Sequence, residues 1–298
     1  MTGLTVATQG LTVRFRDTTA LDAVTLDLGA GRIHGLLGRN GAGKTTLLST
    51  LASMLPSTSG RVEVDGQDPF ERESLMSRIC VVREAGDVIS DEKVAATLDL
   101  HDSVRPTFDR ALAEQILDRY EVSTRSKPEA LSRGQRSAVA VAIGLASRAP
   151  LTMFDEVHLG MDAPSRELFY ELLLEQFAEH HGTVILSSHL IHEIEHLLET
   201  VTILDRGRVL LSAEADDIRA RGMTITGRAD LVTTATAGLE VIGVKDLGPT
   251  RQATVYGETG DSWAADAREL GLEIGPVPLQ DLFIHLTGER THEKEPLR

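Results

Sequence analysis

The chain has 298 residues, 41% apolar and 25% charged, with 30 basic against 45 acidic side chains and a formal charge of −15. That length allows one large domain plus a smaller one, and the acidic balance argues against nucleic acid as a partner, because phosphate backbones are met by basic patches. The longest apolar run, Ala138 to Ala146, falls far short of the roughly 20 residues a bilayer span needs. No signal peptide is expected at the start of the chain, and Cys80 is alone, so a disulfide framework is excluded and a buried thiol is expected. Together these readings predict a cytoplasmic protein.

In chain order, Leu11 to Arg16 and Val24 to Leu28 alternate apolar with polar residues, as half-buried strands do. Gly31 to Leu37 reads as a short buried strand and Lys44 to Met54 as a helix. Between them, Gly38, Arg39, Asn40, Gly41, Ala42, Gly43, Lys44 and Thr45 match the P-loop pattern G-x-x-x-x-G-K-[ST], with Thr46 following on the helix. The order strand, loop, helix suits a phosphate. Glycines let the backbone wrap with its N–H groups inward, and the helix N-terminus adds positive dipole. Lys44 is placed to reach terminal phosphates and Thr45 to offer a hydroxyl to Mg²⁺, so a nucleoside triphosphate is the expected ligand.

Further strands are predicted at Arg61 to Gly66 and Ile79 to Val82, then a helical stretch from Asp91 to Leu145 interrupted at Pro106 and Pro128. Strand-like runs return at Leu151 to Phe154, Val184 to Ser187 and Val201 to Leu204, with helices between, so the sheet should be mostly parallel. The run Leu151 to Phe154 ends in Asp155 and Glu156, the Walker B arrangement. A strand end fixes Asp155 where it can hold Mg²⁺, and Glu156 can polarise an attacking water. His192 to His196 fits H-E-x-x-H, with Glu214 available as a third zinc ligand, but a solvated helix face accounts for it better. His180 and His181 read as a surface helix end. After about residue 220 come strands at Met223 to Arg228, Leu239 to Val244 and Gln252 to Tyr256. A helix from Ser262 to Leu272 is anchored by Trp263, and a closing helix spans Pro278 to Gly288.

One further segment narrows the reading. Leu131, Ser132, Arg133, Gly134, Gln135 and Arg136 resemble the LSGGQ signature of ABC ATPases, with Arg133 in place of the first glycine, and Ser132 can N-cap the helix it opens. Gly160-Met161-Asp162 resembles the D-loop of that family, Ser187-Ser188-His189 its switch histidine, and Phe15 the aromatic residue on which adenine stacks. The resemblance covers roughly residues 4–212. It implies an α/β fold, a P-loop NTPase of ABC ATPase type with antiparallel N-terminal strands and a helical subdomain near 91–145. Residues 1–220 would form the nucleotide-binding domain and 221–298 a small α+β accessory domain. The closing helix also resembles the end of drug- and antibiotic-exporter ATPase subunits.

The same resemblance implies an ATP-hydrolysing subunit of an ABC transporter of exporter type, peripheral to the inner face of the cell membrane through an integral membrane permease on a separate chain. The cofactors would be ATP and Mg²⁺. A homodimer or heterodimer would sandwich two ATP–Mg²⁺ between the P-loop of one protomer and Leu131 to Gln135 of the other. Lys44, Glu156 and His189 would be catalytic, and Thr45, Asp155 and Glu84 would meet the metal. Glu84 stands where the family has a Q-loop glutamine, Val157-His158 replaces the usual Pro-Thr, and Ala163 stands where the D-loop often ends in proline. A soluble ABC ATPase with an assembly or regulatory role is the alternative.

Overall fold

The computed structural model describes residues 2–83, 89, 91–220, 222–257 and 261–292. The chain divides into two compact units, Met1–His189 with Leu197–Ser212, and Leu190–His196 with Ala213–Arg298.

The first unit opens with β1 (Val6–Phe15) and β2 (Thr18–Leu28), an antiparallel pair, then β3 (Ile33–Leu37) and α1 (Lys44–Leu51). β4 (Ser59–Val64) joins β1 on its other side, so the first sheet has the order β2-β1-β4. The short α2 (Glu73–Met76) leads to β5 (Ile79–Arg83). The helical stretch predicted from Asp91 resolves into α3 (Val94–Val104), α4 (Arg110–Arg119) and α5 (Arg133–Ala146). Pro106 lies just beyond the end of α3, and Pro128 opens a 3₁₀ turn. Next come β6 (Leu151–Asp155), α6 (Ala163–His180), β7 (Thr183–Ser188) and the single turn α7 (Ile191–Ile194). β8 (Thr200–Asp205) and β9 (Arg208–Glu214) complete the second sheet, whose order is β5-β6-β7-β3-β8-β9.

Four neighbouring pairs in that sheet, from β5 across to β8, are parallel as the sequence pattern predicts. β3, β6 and β7 are buried at every residue, as parallel strands covered on both faces are. Register then decides the chemistry. Leu37 lies opposite Ser188, and Asp155 opposite Ser187. The carboxyl ends of three strands therefore meet, the place where open α/β sheets bind ligands.

Side chains fix the starts of the two helices that flank the strand ends. Ser132 accepts from the Gln135 backbone N–H while the Gln135 side chain accepts from the Ser132 N–H, a reciprocal capping box at the start of α5. From Ser137 onward α5 is buried all round, the mark of a helix inside a core. Asp162 caps α6 through the Ser165 N–H at 3.0 Å. Cys80 is buried and forms no disulfide, as expected.

The second unit, after α8 (Ala215–Ala220), runs β10 (Gly222–Arg228), α9 (Ala229–Ala235), β11 (Val241–Leu247), β12 (Thr250–Tyr256), α10 (Asp261–Glu269), β13 (Glu273–Pro276) and α11 (Leu279–His292). Its four-stranded sheet has the order β11-β12-β10-β13, with antiparallel pairing throughout. From β10 to β13 this is the β-α-β-β-α-β pattern of ferredoxin-like folds. Trp263 anchors α10, its indole N–H donating to the Ala235 carbonyl at 2.9 Å. Among the described residues no helix is long and apolar enough to cross a membrane.

Candidate functional site

The loop between β3 and α1 is shaped by its glycines. Gly43 has φ +107, and a Cβ there would stand 2.7 Å from the Ala20 carbonyl oxygen and 2.9 Å from Leu21 Cδ2, so both conformation and space demand glycine. Gly38 donates its N–H to the Ser188 carbonyl at 3.3 Å, tying the loop to the end of β7. Arg39, Asn40 and Gly41 are exposed, while Ala42 and Lys44 are buried. Lys44 Nζ donates to the Gly38 carbonyl at 2.7 Å and the Arg39 carbonyl at 3.2 Å, and lies 3.1 Å from Glu156 Oε1. The ammonium is thus folded back under its own loop.

Around it the three strand ends close. Thr45 Oγ1 donates to Asp155 Oδ2 at 2.7 Å, and Ser187 Oγ donates to Asp155 Oδ1 at 2.6 Å. Ser187 Oγ also accepts the Glu156 backbone N–H at 3.1 Å. Glu156 has φ +54, a left-handed conformation unusual for a side-chain-bearing residue and typical of functional sites. His189 Nδ1 reaches Glu156 Oε1 at 3.1 Å. Burial works to raise the Glu156 carboxyl, but the hydrogen bond from His189 and the Lys44 charge outweigh it and hold the group below the usual carboxylate range. An ionised carboxylate beside a buried ammonium is equipped to orient water. Thr45 and Asp155 bring a hydroxyl and a carboxylate within 2.7 Å of each other. Hard oxygen donors of this kind suit Mg²⁺, which takes its remaining ligands from phosphate and water.

Two residues in this network were not singled out from sequence for the parts they play. Ser187 bridges Asp155 and the Glu156 backbone, a role that depends on the β6–β7 register. His158, buried at 2% exposure, meets Ser188 Oγ through Nε2 at 2.9 Å. Burial lowers its pKa to about 4, so the ring is neutral near pH 7. The only sequence signal was its departure from the family's threonine.

The signature segment stands at the start of α5. Leu131 is buried, Ser132 and Arg133 are exposed, and Gly134 and Gln135 are half-buried. This helix start packs on the segment after Glu156: a Cβ on Gly160 would lie 2.6 Å from Ser137 Oγ and 3.0 Å from Arg133 Cγ. Asp162, expected in a D-loop, serves as the α6 cap, and its bond from Ser165 holds its carboxyl below the usual range. Phe15 ends β1 and is half exposed, opposite Thr18. Glu84 lies outside the described residues. The H-E-x-x-H match makes no zinc helix, since α7 ends at Ile194. Among the described residues no group of three His, Cys, Asp or Glu side chains is placed to hold a metal.

Comparison with known proteins bears on the family and the fold. The family model described as ABC transporter matches residues 21–158. A daunorubicin resistance ATP-binding protein of Streptomyces coeruleorubidus is 27% identical over 99% of both chains. An uncharacterized ABC transporter ATP-binding protein of Methanocaldococcus jannaschii is 30% identical over 72% of this chain and 79% of its own. Among solved structures, a dimeric post-hydrolysis ATP-binding cassette bound to ADP and Pi superimposes with a TM-score of 0.64 at 22% identity, over 70% of this chain and 98% of that one. That likeness concerns the fold.

Proposed function

The chain belongs to the ABC transporter family as one of its ATP-binding proteins, an ABC ATPase, and we propose that it is the ATP-hydrolysing subunit of an exporter whose membrane-spanning part is a separate polypeptide. The observation that carries the reading is the convergence of Lys44, Thr45, Asp155, Glu156 and His189 within one hydrogen-bonded cluster at the strand ends. The Gly38–Thr46 backbone and the N-terminus of α1 receive the phosphates, with adenine stacked on Phe15. Lys44 exchanges Glu156 for a phosphate oxygen, and Thr45 and Asp155, with Glu84, would hold Mg²⁺, which would supply positive charge to offset that of the phosphates. Glu156 accepts the proton of the attacking water, and His189 keeps that carboxylate in place.

In this account the cassette dimerises, as a homodimer or with a related chain. Leu131 to Gln135 of one protomer, with Asp162, complete the site of the other. The exposed N-terminus of α5 supports this role, because a capped helix start attracts anions. Export is supported by the full-length match to a drug-resistance protein. The protein would then sit in the cytoplasm, docked on the inner face of the membrane. Affinity purification of the full chain from its host membranes tests the assignment. Recovery of a stoichiometric integral membrane protein is expected, and a chain that never associates with membranes favours the assembly or regulatory alternative.

A further inference from the structure

Glu156 keeps a left-handed backbone, φ +54, a conformation that a side-chain-bearing residue retains only where the surroundings impose it. Here two consecutive residues of β7 bracket it. On one side, Ser187 Oγ accepts the Glu156 backbone N–H at 3.1 Å. On the other side the chain enters the 3₁₀ turn Val157–Gly160, and His158 in that turn meets Ser188 Oγ through Nε2 at 2.9 Å. Val157 is fully buried, but apolar burial is non-directional and sets the depth of the turn rather than its rotation. Hydrogen bonds supply the direction.

His158 is suited to that task. Its ring is buried and stands beside Tyr170 of α6, with centroids 6.5 Å apart. Burial also keeps it uncharged near pH 7, so it brings no full charge to the neighbourhood of Glu156, and what it offers the site is geometry. Ser188, its partner, is a junction. The Ser188 carbonyl accepts the Gly38 N–H at 3.3 Å, and the next residue is His189, whose Nδ1 lies 3.1 Å from Glu156 Oε1. One imidazole therefore connects the turn that follows the carboxylate with the strand end that carries its histidine and supports the phosphate loop.

We propose that His158 is a positioning residue for hydrolysis, which through Ser188 holds Glu156 and His189 in their mutual geometry. It touches neither phosphate nor water and acts only through the residues it orients. Breaking its bond to Ser188 lets the turn after Glu156 rotate and loosens the Glu156–His189 contact, while Lys44 and the glycines of the loop keep their own arrangement. A residue that departs from the family's threonine at this place thereby acquires a use. The inference rests on the assignment of Glu156 and His189 to hydrolysis.

The test uses the full chain with His158→Ala, His158→Asn, His158→Gln, Ser188→Ala and the double variant of His158→Ala with Ser188→Ala. Steady-state ATP hydrolysis, calorimetric ATP binding and the NMR signals of the His189 ring are measured for each. His158→Ala should shift the His189 signals and lower kcat about tenfold or more, within the range that a small misplacement of reacting groups costs. The Kd for ATP should stay within about threefold. His158→Gln carries an amide group out to the distance of Nε2 and should recover the rate to within about threefold, whereas the shorter His158→Asn should not. The double variant should be no slower than the slower single one, because both substitutions remove the same bond. If His158→Ala fails to fold, the contrast between the Gln and Asn variants decides. Equal rates in those two, losses that multiply in the double variant, or a folded His158→Ala with unmoved His189 signals and unchanged kcat would each overturn the proposal. A Glu156→Gln control that retains the wild-type rate instead removes the hydrolytic assignment, and the His189 signals then still decide whether His158 positions that ring.

Discussion

Lys44 Nζ lies 3.1 Å from Glu156 Oε1, and His189 Nδ1 meets the same oxygen at 3.1 Å. The lysine of the phosphate loop and the carboxylate proposed to activate water are therefore paired with each other. On the proposed function, a triphosphate entering the loop would compete with Glu156 for Lys44 and free the carboxylate as a phosphate arrives, linking binding and activation through one ammonium.

That link makes a counterintuitive prediction for binding. Glu156→Gln removes the competing charge, so ATP affinity measured without Mg²⁺ should rise by several-fold, in keeping with the 1.5–3 kcal/mol typical of hydrogen bonds to charged groups, discounted for partial exposure. Calorimetric titration of both forms checks it. Weaker or equal binding by the Gln variant would mean that Lys44 does not exchange partners.

His158 should make the protein acid-sensitive. Its folded pKa is about 4 because it is buried, against about 6.5 in an unfolded chain. The unfolded state therefore binds the proton first. The stability it contributes is fully present above about pH 6.5 and is lost as the pH falls toward 4, by on the order of 3 kcal/mol at pH 4. Urea midpoints between pH 4 and 7.5 should fall accordingly in the wild type. His158→Asn should show a flatter slope over that window, and an unchanged slope would assign the acid sensitivity to other groups.

Ser187 offers a test of the proposed metal site. Ser187→Ala removes the donor to Asp155 and the acceptor for the Glu156 N–H. The Mg²⁺ concentration for half-maximal hydrolysis should rise several-fold, and stability should fall by about 1–3 kcal/mol, the range for an orphaned buried polar group. ATP binding without metal should be unaffected. A Mg²⁺ titration superimposable on the wild type would show that Ser187 does not orient Asp155.

Gly160 tests the packing of the signature helix. An alanine there places its Cβ 2.6 Å from Ser137 Oγ, 3.0 Å from Arg133 Cγ and 3.3 Å from the Arg133 carbonyl oxygen, so the contacts of α5 with this segment must give. Gly160→Ala should cost about 1–3 kcal/mol, as overpacking does, and should reduce hydrolysis more than monomer nucleotide affinity. Thermal melts and ATP titrations separate the two effects. Equal losses in both would show that α5 acts only as scaffold.

The strand ends were legible because their chemistry sits in short contiguous runs. Gly38 to Thr45 and Leu151 to Glu156 announce both a strand and its terminal function, and the S-x-x-Q spacing of Ser132 and Gln135 announces a cap. The misses have local causes. β9 was overlooked because Arg206 and Gly207, both at positive φ, form a two-residue turn without the Asn-Gly or Asp-Gly pair that usually marks one. β13 is four residues long and contains glycine and proline, which weaken any strand signal. α9 was missed because Thr233 and Thr234 are poor helix formers, each bonding back to a carbonyl four residues earlier. The roles of Ser187 and His158 depend on register between strands 30 residues apart in sequence, which periodicity within one segment does not carry.

The central claim is that this chain binds ATP in the Gly38–Thr46 loop and hydrolyses it through Glu156. Phosphate release by the full chain and by Glu156→Gln, at saturating ATP and Mg²⁺, tests it most directly. The account predicts steady turnover by the wild type and a loss of about 10²–10⁴-fold in the variant, the usual contribution of a general base, with ATP still bound. A Glu156→Gln protein that releases phosphate at near the wild-type rate would contradict it.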